Sequence, residues 1–214
     1  MTSQILALLG ALLLLAAFRT VAARRLDAFI SSFAQQSLVL AAVAVVVGVA
    51  TGTPDLYVVA LLTLAVKAWA VPAILRRIAA DLPADEVRSA VGVPLSTIIA
   101  IGLVVLAFFA SPSVAVAGTL LNQPPLSISV SLVLMGLFVV STRRHAVAQL
   151  VGLLTIENGL FSGAIAIAYG LPLIVEFGIL FDILVAVVAV GILVSLIRRE
   201  VATADTTELR RLRG

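Results

Sequence analysis

AVAQLVGLLTIENGLFSGAIAIAY, Ala146 to Tyr169, is 24 residues long and holds one charged side chain, Glu157. At 1.5 Å per residue, about 20 mostly apolar residues cross the roughly 30 Å of a bilayer's hydrocarbon, so the stretch is long enough to span a membrane as a helix. A carboxylate in the middle of such a span costs about 2.5–3.5 kcal/mol on insertion scales, and its presence needs a reason.

The rest of the chain has the same solvent. Of 214 residues, 62% are hydrophobic and 12% charged, with a mean hydropathy of +1.24. Soluble domains hold roughly 45–50% apolar and 25% charged residues. Stretches of spanning length bounded by charges or turn residues occur at Thr2–Phe18, Phe29–Val49, Leu56–Leu75, Val93–Ala110, Leu126–Ser141, Ala146–Tyr169 and Leu173–Ile197. They predict an all-α integral membrane protein with seven transmembrane helices, the first and fifth being short. Gly52-Thr53-Pro54, Ser111-Pro112-Ser113, Asn122 to Pro125 and Gly170-Leu171-Pro172 mark the loops on one side.

The loops on the other side carry the charge. Arg19, Arg24 and Arg25 follow the first span, Arg76, Arg77 and Arg88 the third, Arg143 and Arg144 the fifth, and Arg198, Arg199, Arg210, Arg211 and Arg213 the seventh. Short loops rich in Lys and Arg stay cytoplasmic, which places the N-terminus outside and the C-terminus in the cytoplasm. No charge precedes Arg19, whereas a secretory signal carries its positive charge before the apolar stretch, so the first span is expected to be retained. The chain then divides into a three-helix segment with its cytoplasmic loop (1–92), a fourth helix with an external loop (93–124), a second three-helix segment (125–197) and a cytoplasmic tail (198–214). The net charge of +3 and the pI near 10.2 reflect these topology signals, not a nucleic-acid surface.

Zero cysteines exclude disulfides and thiolate-held clusters, and one histidine, His145, supplies no bis-histidine haem pair or metal set. No phosphate loop or nucleophile elbow occurs. No cofactor, metal or catalytic residue is therefore expected in this chain, and any redox group belongs to a partner. The loop DLPADEVR, Asp81 to Arg88, and the tail with Glu200, Asp205 and Glu208 among its arginines are expected to be solvated.

The charged residues left inside spans are Lys67, Glu157, Glu176 and Asp182, with Gln35 and Gln36 as neutral companions. By helix rise from the nearest basic residue, Gln35 lies about 15 Å deep, Lys67 about 13–14 Å, Glu157 about 18 Å, Asp182 about 24 Å and Glu176 about 33 Å. Gln35, Lys67 and Glu157 thus share a layer near the midplane, which Asp182 joins through water. Lys67 and Glu157 are the expected pair, facing the bundle interior. Pro72 has no N–H and frees the carbonyl of Ala68 one turn from the lysine. Gly152, Gly159, Ser162 and Gly163 surround the glutamate with small residues and let another helix approach. Glu176, in the first turn after Pro172, complements a helix N-terminus.

The run TIENGL, Thr155 to Leu160, followed by Glu176-Phe177-Gly178 and Asp182 within VEFGILFDIL, resembles the membrane component E of hydrogenase-4. QSLVL, Gln36 to Leu40, and Lys67 with Val71-Pro72 extend the resemblance over nearly the whole chain. In that family the last three helices are similar to the small subunit K of proton-pumping NADH:quinone oxidoreductase, which carries buried acids on its second and third helices. By that likeness Glu157 takes the place of the first acid, and Asp182, one methylene shorter, that of the second; Lys67 has no counterpart there.

The resemblance implies a non-catalytic membrane subunit of an energy-converting hydrogenase or complex I-like oxidoreductase, in a bacterial cytoplasmic (inner) membrane. It also implies membrane partners, some antiporter-like and one similar to the H component of complex I, and, through them, a redox module. Glu157, Asp182 and Lys67 are the expected proton relay, with Glu176, Gln35, Gln36 and Asn158 as secondary candidates. The alternative is a structural scaffold joining antiporter-like subunits to the redox module. A stand-alone transporter is disfavoured because the sequence has neither a clear repeat nor a Gly/Pro-interrupted pair of spans in corresponding halves.

Overall fold

The computed structural model describes residues 2–80, 87–111, 124–168 and Gly178. The last expected span, 173–197, lies outside the described residues, and so do Glu176, Asp182 and the tail. The described chain is helical: α1 (Thr2–Ala22), α2 (Leu26–Thr51), α3 (Asp55–Ala80), α4 (Val93–Ala110), α5 (Pro124–Thr142) and α6 (Ala146–Ala168). Five of these, α1 to α4 and α6, are long and apolar enough to cross a membrane, while the apolar part of α5, Leu126–Thr142, is shorter. No strand occurs among the described residues, which hold one isolated bridge, between Ser89 and Arg143.

Helix ends follow local chemistry. Gly52 closes α2 at φ 69°, in the left-handed region where a side chain would be strained, and Pro54 precedes the first turn of α3. Within α3, Thr63–Ala70 is a π-helix. The sequence predicts a freed carbonyl below Pro72; the structure instead widens the preceding turns, and the N–H of Val71 reaches back five residues to Val66 O. A proline that cannot donate is accommodated by changing register rather than by an open kink.

The bundle is organised around α2, which packs against α1, against the π-helical part of α3 and against α6. Phe29, Ile30, Phe33, Leu40 and Ala44 form its buried side. Helix α4 lies at the periphery, with Ser96, Ala100 and Ala107 buried along one edge and Ile98 and Phe109 turned outward. Trp69 on α3 is 74% exposed and Phe109 79%, as befits faces meant for lipid or for a neighbouring protein.

Arg143, one of the loop arginines, is 2% exposed. Its guanidinium donates to the carbonyl of Val21, lies 5.6 Å from the ring centroid of Phe29, and so ties the α5–α6 turn to the α1–α2 turn. Burial lowers its pKa, but an arginine stays charged after such a shift.

The segment entering α4 is sewn to the same place, with Val87 N–H donating to Arg24 O at 2.8 Å, Ala90 N–H to Thr142 O at 2.9 Å and Arg144 N–H to Arg88 O at 3.2 Å. Val87 is buried, so the end of the loop expected to be solvated is docked; residues 81–86 lie outside the described residues. Arg143→Met is expected to cost about 2 kcal/mol by stranding the Val21 carbonyl. Arg144→Met, at an exposed position, is expected to change stability by less than about 0.5 kcal/mol. Thermal unfolding of the two variants in detergent checks this, and equal midpoints would refute the clasp.

Candidate functional site

Lys67 and Glu157 meet inside the bundle, with Nζ to Oε1 at 2.5 Å and side chains 4% and 6% exposed. The lysine comes from the π-helical part of α3 and the glutamate from the middle of α6. Phe161 follows Glu157 by four residues and therefore occupies the same face of α6. Its ring centroid lies 5.3 Å from Lys67 Nζ, so carboxylate and aromatic face hold the ammonium together. The lysine ammonium is held by side chains of α6 inside the bundle, and does not snorkel to the membrane surface.

The wall behind the pair is α2, and its glutamines part ways. Gln36 is fully buried and donates from Nε2 to Thr20 Oγ1 at 2.9 Å. Gln35, expected in the same layer as the pair, is exposed, and its carbonyl oxygen accepts from the guanidinium of Arg19. Adjacent residues on a helix point about 100° apart, and the buried side of α2 takes in Gln36 and Ser37 but not Gln35.

Asn158, next to the glutamate, is fully buried. The helix approached by Gly159 and Gly163 is α5, where Ser129 Oγ donates to Gly159 O at 2.6 Å. Sequence reasoning missed Phe161, Thr20 and Ser32; an aromatic residue one turn beyond a buried acid was the available signal for the first. His145 holds no metal group among the described residues. Its Nδ1 accepts from Val147 N–H at 3.2 Å, capping α6, and burial pushes its pKa down, toward the neutral imidazole that this bond requires.

Such a pair, sealed among apolar helices, defines a polytopic membrane protein whose interior carries opposite charges from two separate spans. Comparison with known proteins gives the family. Residues 124–214 match the family of NADH-ubiquinone/plastoquinone oxidoreductase chain 4L. The chain is 36% identical over 205 residues to the uncharacterised protein Rv0085 of Mycobacterium tuberculosis, covering 94% of this chain and 92% of the relative. It is 28% identical over 184 residues to hydrogenase-4 component E of Escherichia coli K12, covering 85% of each, and equally to that of Shigella flexneri. No solved structure matches. The chain belongs to the same family as Rv0085, and it is similar to hydrogenase-4 component E over most of its length and to chain 4L over its C-terminal part. Glu157 lies inside the part that matches chain 4L and Lys67 outside it, so the ion pair joins that part to the N-terminal helices.

Proposed function

We propose that this chain is a non-catalytic membrane subunit of an energy-converting hydrogenase or complex I-like oxidoreductase, seated in a bacterial cytoplasmic membrane with seven spans and its arginine-rich end in the cytoplasm. Partner subunits carry out the electron transfer. In this reading Lys67 and Glu157, with Asp182 of the last span, change their charge or pairing as protons or cations cross the membrane. The C-terminal segment, 125–197, supplies the acids, and the N-terminal segment, 1–92, the amine. Antiporter-like neighbours, and one similar to the H component of complex I, receive the ion on either side.

The observation that carries this reading is the Lys67–Glu157 pair. Two charges withdrawn into hydrocarbon add little net stability over well-packed apolar side chains, so their retention favours a use in charge movement. The π-helical turn beneath Lys67 adds to this, because such turns are rare and concentrate at functional sites.

Glu157→Gln keeps the shape and removes the charge. Within the intact complex it is expected to leave assembly normal and to abolish ion transport per electron pair, measured with a pH-sensitive dye in inverted vesicles while turnover is followed in parallel. Full coupling in that variant would overturn the relay reading. It would favour the scaffold, to which the glycine-mediated contact of α5 with α6 also lends support. The scaffold then requires Lys67→Ala to lower the yield of complex without altering coupling in what assembles.

A further inference from the structure

A string of neutral polar side chains runs inside the bundle, and neither the ion pair nor apolar packing accounts for it. Thr20, in the last turns of α1, and Ser32, on α2, share a hydrogen bond between their hydroxyls at 2.8 Å, and Gln36 Nε2 donates to Thr20 Oγ1 at 2.9 Å. All three are 0% exposed. The string begins near the α1–α2 turn, beside Arg24 and Arg25, where Ser32 Oγ also lies 2.8 Å from the carbonyl of Phe29.

The other end stops in polar atoms not accounted for among the described residues. Gln36 Oε1, Ser37 Oγ and both amide atoms of Asn158 are buried without a hydrogen-bond partner among the described residues. By helix rise, Gln36 and Ser37 lie about 17–18 Å from Arg25, and Asn158 about 20 Å from His145. That is the level of Glu157, and α2 packs directly on α6. Each buried polar atom left unbonded costs about 1–3 kcal/mol, so alanine or leucine would serve packing better at these positions. Buried polar atoms without protein partners are ordinarily satisfied by ordered water, which takes about three hydrogen bonds from its site. Two acceptors, a hydroxyl and an amide donor group at one level of the bundle meet that need.

We infer that Gln36, Ser37 and Asn158 form a water-binding site at the level of the ion pair, filled from the arginine-rich end along Thr20, Ser32 and Gln36. The hydroxyls of Thr20 and Ser32 both donate and accept, as a hydrated path requires, and the Gln36 carboxamide holds them in line. The site's atoms are sealed from solvent at rest, so water enters by transient separation of α1 from α2. That this water serves proton exchange at Lys67 and Glu157 rests on the function proposed above; the site itself does not.

The chain contains no cysteine, so one introduced thiol is a unique reporter. The complex carrying Ser37→Cys is treated in membranes with silver ion, a cation small enough to follow water. The chain is then denatured, and the remaining thiol is labelled with a maleimide. Protection from labelling is expected for Ser37→Cys and for Ser32→Cys, and no protection for Ala44→Cys, a buried apolar position on the same helix. Adding Gln36→Leu to Ser37→Cys is expected to remove the protection.

Equal labelling of the Ser37, Ser32 and Ala44 variants after silver would overturn the site, and having two hydroxyl positions guards against one variant failing to assemble. Protection together with full coupling in Glu157→Gln would leave the site standing and remove the relay. Lost coupling without protection would do the reverse.

Discussion

Lys67→Met is expected to destabilise the protein by about 3–5 kcal/mol, because it leaves the Glu157 carboxylate inside the bundle without its counter-charge. The loss comes from what remains rather than from what is removed. Methionine matches the aliphatic stem of lysine, still reaches Phe161 and keeps the volume between α3 and α6 filled, so packing changes little. The double variant Lys67→Met with Glu157→Gln withdraws both charges and is expected to regain most of the loss. Glu157→Gln alone is expected to fall between, with the ammonium still held by the face of Phe161. Trp69, the single tryptophan, lies two residues from Lys67 and reports unfolding of this region by its fluorescence in detergent. The three variants and the parent form a cycle whose coupling energy should be large and favourable. A cycle in which the two substitutions merely add would mean that the charges do not act on each other.

The pair was legible in the sequence because membrane solvent makes depth countable. A helix in a bilayer is nearly one-dimensional, so distance from the nearest arginine puts Lys67 and Glu157 at one level, and cost in hydrocarbon forces them inward. Azimuth was not legible to the same degree. Gln35 and Gln36 have the same depth, and nothing in an all-apolar surround told which one faces the interior; the structure turns Gln36 to Thr20 and Gln35 to Arg19.

The widened turns of α3 were half visible. Pro72 marked the place but not the remedy, since an open carbonyl and a shift to π register both relieve a missing donor. The role of Arg143 was not legible for a different reason. Counting basic loop residues treats them as interchangeable, whereas a guanidinium can also hold a backbone carbonyl and lie on an aromatic ring, and only the neighbouring turn reveals which one does.

Gly136→Ala is expected to cost at least about 3 kcal/mol, although alanine is the better helix former. A methyl group on Gly136 would lie 2.7 Å from Gly152 O and 2.8 Å from Ile156 N, both backbone atoms of α6 that cannot swing aside. Gly159 repeats the arrangement from the other helix, where a methyl would lie 2.9 Å from Ser129 O and from Val133 N. Between lipid-solvated helices no hydrophobic force compensates for separation, so association depends on this close fit and on bonds such as that of Ser129 to Gly159. Gly102→Ala is the control, because a methyl there meets nothing within 4 Å, and it should be neutral or slightly stabilising. Thermal midpoints in detergent should therefore move in opposite directions for the two glycines. Because α6 also carries Glu157 and Phe161, pushing it off α5 should loosen their hold on Lys67, so Gly136→Ala is expected to impair ion coupling in whatever complex assembles. If Gly136→Ala proved as stable as Gly102→Ala, α5 and α6 could not lie so close, and the placement of the glutamate opposite the lysine would lose its support.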